Sequence, residues 1–150
     1  MNPGDQIPDF TALDQNGESV TFSEVVSEGP VVVFFYPKAM TTGCTKESCH
    51  FRDLEAEFAA VGARRIGVSV DSVERQQKFD QTHTLGYTLL SDPDRTIARI
   101  FGVTRSVSLF PNKRATFVVA ADGTLIEEIA SEMNMGVHAD RALEILKASV

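Results

Sequence analysis

Residues 31–62 read VVVFFYPKAMTTGCTKESCHFRDLEAEFAAVG, and the hydrophobic period changes partway along this stretch. Val31–Tyr36 is an unbroken run of β-branched and aromatic residues stopped by Pro37, the pattern of a central strand buried on both faces. From Cys44 to Val61 the period becomes helical: Phe51, Leu54, Phe58 and Val61 recur at spacings of three and four, while Lys46, Asp53 and Glu57 fall elsewhere, and Gly62 supplies a stop. A strand buried on both faces that hands over to a helix implies a parallel sheet, and in open sheets of that kind ligands bind beyond the carboxyl ends of the strands.

The flanking sequence supplies partners for this unit. On the amino-terminal side, Asn16-Gly17 is a turn between two short extended pieces, Asp9–Leu13 and Ser19–Phe22, which predicts a small hairpin. On the carboxyl-terminal side the pattern predicts a strand over Arg65–Val70, a polar helix over Ser72–His83, a short strand over Tyr87–Leu90 and a helix over Arg95–Phe101 ended by Gly102. Ala115–Ala121 and Thr124–Ile129 flank Asp122-Gly123, a strong hairpin signal, and Ala139–Leu146 closes with an amphipathic helix. The order predicts an α/β fold with a mixed central β-sheet, helices on both faces and an N-terminal β-hairpin, an arrangement that is thioredoxin-like. No repeat, low-complexity tract or linker divides the chain, so residues 1–150 are expected to form a single domain.

Charge and hydropathy narrow the function classes. A net charge of −7 leaves no broad cationic surface for a nucleic-acid backbone, so no nucleic-acid partner is expected. The run Val31–Tyr36 has six residues against the roughly 20 of a membrane helix, and the opening MNPGDQIPDF has no basic region followed by an apolar core. No membrane association and a cytoplasmic location are the expectation. In that compartment two cysteines point to redox, catalytic or metal chemistry rather than a structural bridge.

Cys44 falls in the first turn of the predicted helix, where free backbone N–H groups and the positive end of the dipole favour a thiolate. About 100° per residue places Cys44 on the core-facing side with Phe51, and turns Cys49 about 140° away toward the charged side. The two Cα atoms would stand roughly 8–9 Å apart on a regular helix, beyond the ~7 Å that a disulfide tolerates. A dithiol–disulfide cycle therefore requires the first turn or two to unwind. A metal site from Cys44, Cys49 and His50 falls short of the usual ligand number, with His83 and His138 distant in sequence, so no metal is expected. Thioredoxin-type exchange uses two residues between its cysteines where this chain has four.

Pro37-x-x-x-Thr41-x-x-Cys44 resembles the active-site signature of the peroxiredoxins, and YPKAMTTGCTKESC resembles that of their bacterioferritin comigratory protein, or Q-type, group. The resemblance extends through Gly4–Phe10, Gly67–Ser72 (GVSVDS), Leu89–Pro93 (LLSDP), Phe101–Val103 and Arg114–Gly123 (RATFVVAADG). It implies a thiol peroxidase in which Cys44 is the peroxidatic cysteine and becomes a sulfenic acid. Cys49 is then the resolving cysteine, forming an intramolecular disulfide that a thioredoxin- or glutaredoxin-like reductant reopens. Hydrogen peroxide or an organic hydroperoxide is the implied substrate, without metal or organic cofactor, and the group implies a monomer. Thr41 would hydrogen-bond the sulfur and peroxide, Pro37 would shield the pocket, Arg114 would polarise the peroxide and Glu47 would orient Arg114.

Plainer readings stand beside these roles. Thr41 or Thr42 serves equally as a helix cap, Arg114 as a solvated cation and Glu47 as compensation of the helix dipole, and His50, His83 and His138 read most simply as surface residues. A peroxide-responsive redox sensor acting through a partner protein is the alternative to an enzyme. The group usually has proline where this chain has Thr42, which predicts a more mobile loop with one more backbone donor. The segment Thr104–Lys113, with Val107, Leu109, Phe110 and Pro111, reads as a lid, an oligomer contact or a packed loop.

Overall fold

The computed structural model describes residues 1–104, 112–131 and 134–149. The apolar run forms β3 (Val31–Phe35), whose five residues are fully buried. Its alternation divides the core. Val32 and Phe34, followed by Tyr36, face one hydrophobic cluster, and Val31, Val33 and Phe35 face the other. Strands β1 (Thr11–Asp14), β2 (Ser19–Thr21), β4 (Arg64–Ser69), β5 (Thr88–Ser91), β6 (Ala115–Val119) and β7 (Leu125–Ala130) complete one seven-stranded sheet in the order β2-β1-β5-β4-β3-β6-β7. The inner pairs β3–β4 and β4–β5 are parallel, and the remaining pairs are antiparallel. This is the expected mixed sheet with its N-terminal hairpin.

Helices cover both faces. α2 (Thr42–Asp53), α3 (Glu55–Ala60), α4 (Val73–His83) and α6 (Val137–Ala148) bury Phe51, Phe58, Phe79 and Leu143 against the Phe34 face. α1 (Phe22–Val26) and α5 (Thr96–Phe101) bury Phe22, Val26, Ile97 and Phe101 against the Phe35 face. Gly67 in β4 lies closely under core side chains of the Phe34 face. A Cβ there would stand 2.9 Å from both Leu89 Cδ2 and Phe34 Cζ, so any larger residue would push these two core side chains aside.

Two elements differ from expectation. The strand predicted to Phe22 ends at Thr21, because Asp9 accepts the N–H and the hydroxyl of Ser23, each at 2.8 Å, and turns the chain into α1. The helix predicted from Cys44 to Val61 is two helices broken at Leu54. Arg65 Nη1 donates to the Phe51 carbonyl at 2.6 Å, an oxygen at the carboxyl end of α2, and the bend lets Phe51 and Phe58 stack at 5.8 Å on the same core. Thr104 and Asn112 form an isolated antiparallel bridge; Val107, Leu109, Phe110 and Pro111 lie outside the described residues.

Candidate active site

The loop between β3 and α2 is fixed at one residue from both sides. Asp71, at the carboxyl end of β4, accepts the Ala39 N–H at 2.7 Å, and Arg75 from α4 donates to the Ala39 carbonyl at 3.3 Å while pairing with Asp71 at 3.0 Å. Ser69 adds a hydroxyl donor to the same Asp71 oxygen at 2.6 Å. The next residue, Met40, is left-handed at φ 70°, a conformation that costs a non-glycine residue free energy and is held only by its surroundings. Pro37, in the same loop, is buried.

Thr41 is the N-cap of α2 in backbone conformation, yet its side chain caps nothing. Its hydroxyl donates to the Lys38 carbonyl at 2.8 Å, so in this arrangement its single proton is turned from the sulfur toward the loop. Thr42 occupies the first helical position and is exposed. Proline is favoured at that position because its absent N–H has no intrahelical acceptor there, so threonine preserves the helix start.

Cys44 is the third residue of α2, is fully buried, and carries a free thiol. Arg114 Nη2 donates to its Sγ at 3.2 Å, and Arg114 Nη1 donates to Glu47 Oε1 at 2.7 Å. Arg114 is only 6% exposed and Glu47 is fully buried, so neither is a solvated surface charge. Burial works against the guanidinium's charge, but the facing Glu47 carboxylate and Cys44 sulfur outweigh it and hold Arg114 above its ordinary pKa. The fork therefore remains charged at the sulfur. Gly43 keeps the space open: a Cβ there would lie 3.4 Å from both Arg114 Nη2 and the Met135 methyl.

The structure thus brings Cys44, Glu47 and Arg114 into contact at the end of the central strand, with Pro37 and Thr41 in the loop that leads into α2. Cys49 is on the same uninterrupted helix, also free, half-buried against the core and within the field of Arg52. Among the described residues no group of three or more His, Cys, Asp or Glu is arranged to hold a metal ion.

His138 corrects the sequence reading most sharply. It is fully buried, with Nδ1 at 2.7 Å from the Thr116 hydroxyl, Nε2 at 2.9 Å from the Ser131 carbonyl, and Nδ1 at 3.6 Å from Glu47 Oε2. His50 and His83 are half-buried, and His50 Nε2 meets Asp140 at 2.8 Å. Two periodic signals in the sequence carry this information. Arg114, Thr116 and Val118 alternate along one strand face, and His138, Ala142 and Ile145 recur at helical spacing on the buried side of α6.

The chain has clear relatives. A profile of the AhpC/TSA family matches residues 3–128. The crystal structure of peroxidoxin BcpB from Mycobacterium tuberculosis superposes with a TM-score of 0.94 at 50% identity, over 99% of this chain and 97% of that one. Peroxiredoxin Bcp of Escherichia coli strain K12 is 37% identical over 155 residues, covering 98% of each protein. The bacterioferritin comigratory protein of Xanthomonas campestris, a structure concerned with alkyl peroxide reduction, superposes with a TM-score of 0.86 at 29% identity, over 93% of this chain and 91% of that one. With a cysteine at a helix start facing a buried arginine, and with family and near relatives in agreement over almost all its length, this chain belongs to the AhpC/TSA family, within its peroxiredoxins of the bacterioferritin comigratory protein or Q group.

Proposed function

We propose that this thiol peroxidase reacts through Cys44 as the peroxidatic cysteine, acting as one domain across residues 1–150. The observation that carries the assignment is the 3.2 Å contact between Arg114 Nη2 and Cys44 Sγ in the first turn of α2. A guanidinium and unpaired helix N–H groups both favour sulfur as an anion, and the same donors stabilise negative charge on a departing oxygen. The thiolate attacks the terminal peroxide oxygen. The S–O bond forms as the O–O bond breaks, and the leaving oxygen takes up a proton to depart as water or an alcohol. Glu47 orients Arg114, Pro37 shields the sulfur, and the Thr41 hydroxyl turns from Lys38 to the incoming peroxide.

Cys49 then attacks the sulfenic sulfur, forming a disulfide and expelling water. Cys49 follows Cys44 by five positions on an intact helix, so this step requires the first half of α2 to open. A dithiol reductant of thioredoxin or glutaredoxin type restores both thiols. Hydrogen peroxide and small organic hydroperoxides are the substrates we assign, with a cytoplasmic monomer as the working form. No helix among the described residues is long and apolar enough to cross a membrane.

Stopped-flow mixing of the reduced protein with peroxide tests the scheme. Cys44→Ser should abolish oxidation, while Cys49→Ser should complete one rapid oxidation and then stall with thioredoxin. The mass of the peroxide-treated wild type should show loss of two hydrogens and no retained oxygen. Equal loss of the first step in both variants overturns the roles, and rapid oxidation without turnover on any dithiol reductant points to a sensor.

A further inference from the structure

His138 carries no part of the scheme above, yet it is buried one residue away from the Cys44 clamp. Nε2 faces the carbonyl of Ser131 at 2.9 Å, and a carbonyl only accepts, so this nitrogen bears a hydrogen whatever the charge of the ring. That fixes the two states available at Nδ1. In the neutral ring the single Nδ1 lone pair accepts the Thr116 hydroxyl at 2.7 Å, and Glu47 Oε2, 3.6 Å from the same nitrogen, receives no proton from it. In the imidazolium Nδ1 is a donor, Thr116 becomes an acceptor, and a positive charge stands beside the carboxylate whose other oxygen holds Arg114 at 2.7 Å.

We propose that His138 is a positioning residue of the peroxidatic centre, and that protonation of its ring and ionisation of Cys44 favour one another through Glu47 and Arg114. The path is short and made of opposite charges in contact: Nδ1 to Glu47 Oε2, Oε1 to Arg114 Nη1, Nη2 to Cys44 Sγ. Among the described residues the ring meets the Glu47 carboxylate from α2, the Thr116 hydroxyl from β6 and the carbonyl of Ser131, and Arg114 and Cys44 are linked to it through Glu47. On the outer side of the same α2–α6 contact, His50 pairs with Asp140. A thiolate in this cluster attracts an imidazolium, and by linkage the imidazolium attracts the thiolate to the same extent. α6 is thereby more than a cover for the sheet, because its second residue sets the charge behind the arginine clamp.

This inference rests on Cys44 being the reacting thiol. It is tested in a Cys49→Ser background, where Cys44 is the only sulfhydryl. In His138→Gln the acidic limb of the pH–rate profile for peroxide oxidation should move to higher pH, giving a roughly three- to tenfold slower reaction near about pH 6 and convergence with the parent at alkaline pH. Reciprocally, the imidazole nitrogen resonances of His138 in Cys44→Ser should titrate at lower pH than in the reduced parent. A loosened fold would slow the reaction at every pH and leave no converging limb. Superimposable pH profiles, or a His138 titration indifferent to Cys44→Ser, overturn the proposal, and the second measurement needs no change at His138. If Cys44→Ser still consumes peroxide, the peroxidatic assignment falls instead.

Discussion

Arg114 reaches Glu47 through Nη1 and Cys44 through Nη2, so one planar group clamps a carboxylate and a sulfur at once. Lysine cannot do this, since its single ammonium is a point charge without a fork. Arg114→Lys should therefore keep the charge and lose the geometry, with a fall of roughly 10²-fold in the rate of peroxide oxidation, the order seen when a preorganised donor to a developing anion is removed. Stopped-flow measurement on the folded variant checks this, and a rate near wild type would show that charge alone suffices. The cysteine end of the clamp could be read from the sequence because a helix start lies within a few residues of Cys44, whereas Arg114 lies 70 residues along the chain. Family resemblance supplied that long-range pairing. His138 reads as a surface residue when taken alone, and only its helical spacing with the buried Ala142 and Ile145 points inward, while its partner Thr116 stands 22 residues away.

The helix bearing both cysteines is anchored unevenly. Its carboxyl-terminal half is fastened by the Phe34–Phe51 stack at 4.1 Å, by Arg65 on the Phe51 carbonyl, and by the Tyr87 hydroxyl, which donates to the Ser48 carbonyl at 2.8 Å. Burial holds the Tyr87 phenol far above its ordinary pKa, so it remains a donor throughout the working range. Ser48 immediately precedes Cys49, which places this bond at the boundary of the part that opens in the proposed cycle. Tyr87→Phe should remove roughly 1 kcal/mol of anchoring, with a several-fold faster approach of Cys49 to the oxidised sulfur and an unchanged first oxidation. Rapid quench with thiol alkylation separates the two steps, and an unaltered rate of disulfide formation would locate the hinge elsewhere. The break at Leu54 escaped the sequence reading because Phe51, Leu54, Phe58 and Val61 keep a helical period across it. The guanidinium that takes the Phe51 carbonyl comes from β4, and periodicity carries no information about such a contact.

Across the whole molecule, β3 divides the interior into two clusters, and only one of them includes Cys44 and Phe51. The Phe35 cluster is packed by α1 and α5 and makes no use of α2, so the opening of α2 in the proposed cycle would draw on one layer of the core. The sheet was well foretold by the sequence because β3 and β6 are continuous apolar runs buried on both faces, and the hairpin turns at Gly17 and Gly123 have positive φ. A consequence of this division is that oxidation should weaken the fold even though it adds a covalent link. Bridging Cys44 to Cys49 closes a loop of only about six residues, worth roughly 2 kcal/mol in chain entropy. Opening α2 pulls Glu47 away from Arg114, and separating a buried ion pair costs about 3–5 kcal/mol before any loss of packing around Phe51 is counted. The disulfide form should therefore melt several degrees below the reduced form, as calorimetry of the two states can measure. The far-ultraviolet signal should report fewer helical residues in the oxidised form. An oxidised protein that melts above the reduced one would mean that Glu47 and Arg114 stay paired through the cycle, and that the bridge forms without releasing the first turns of α2.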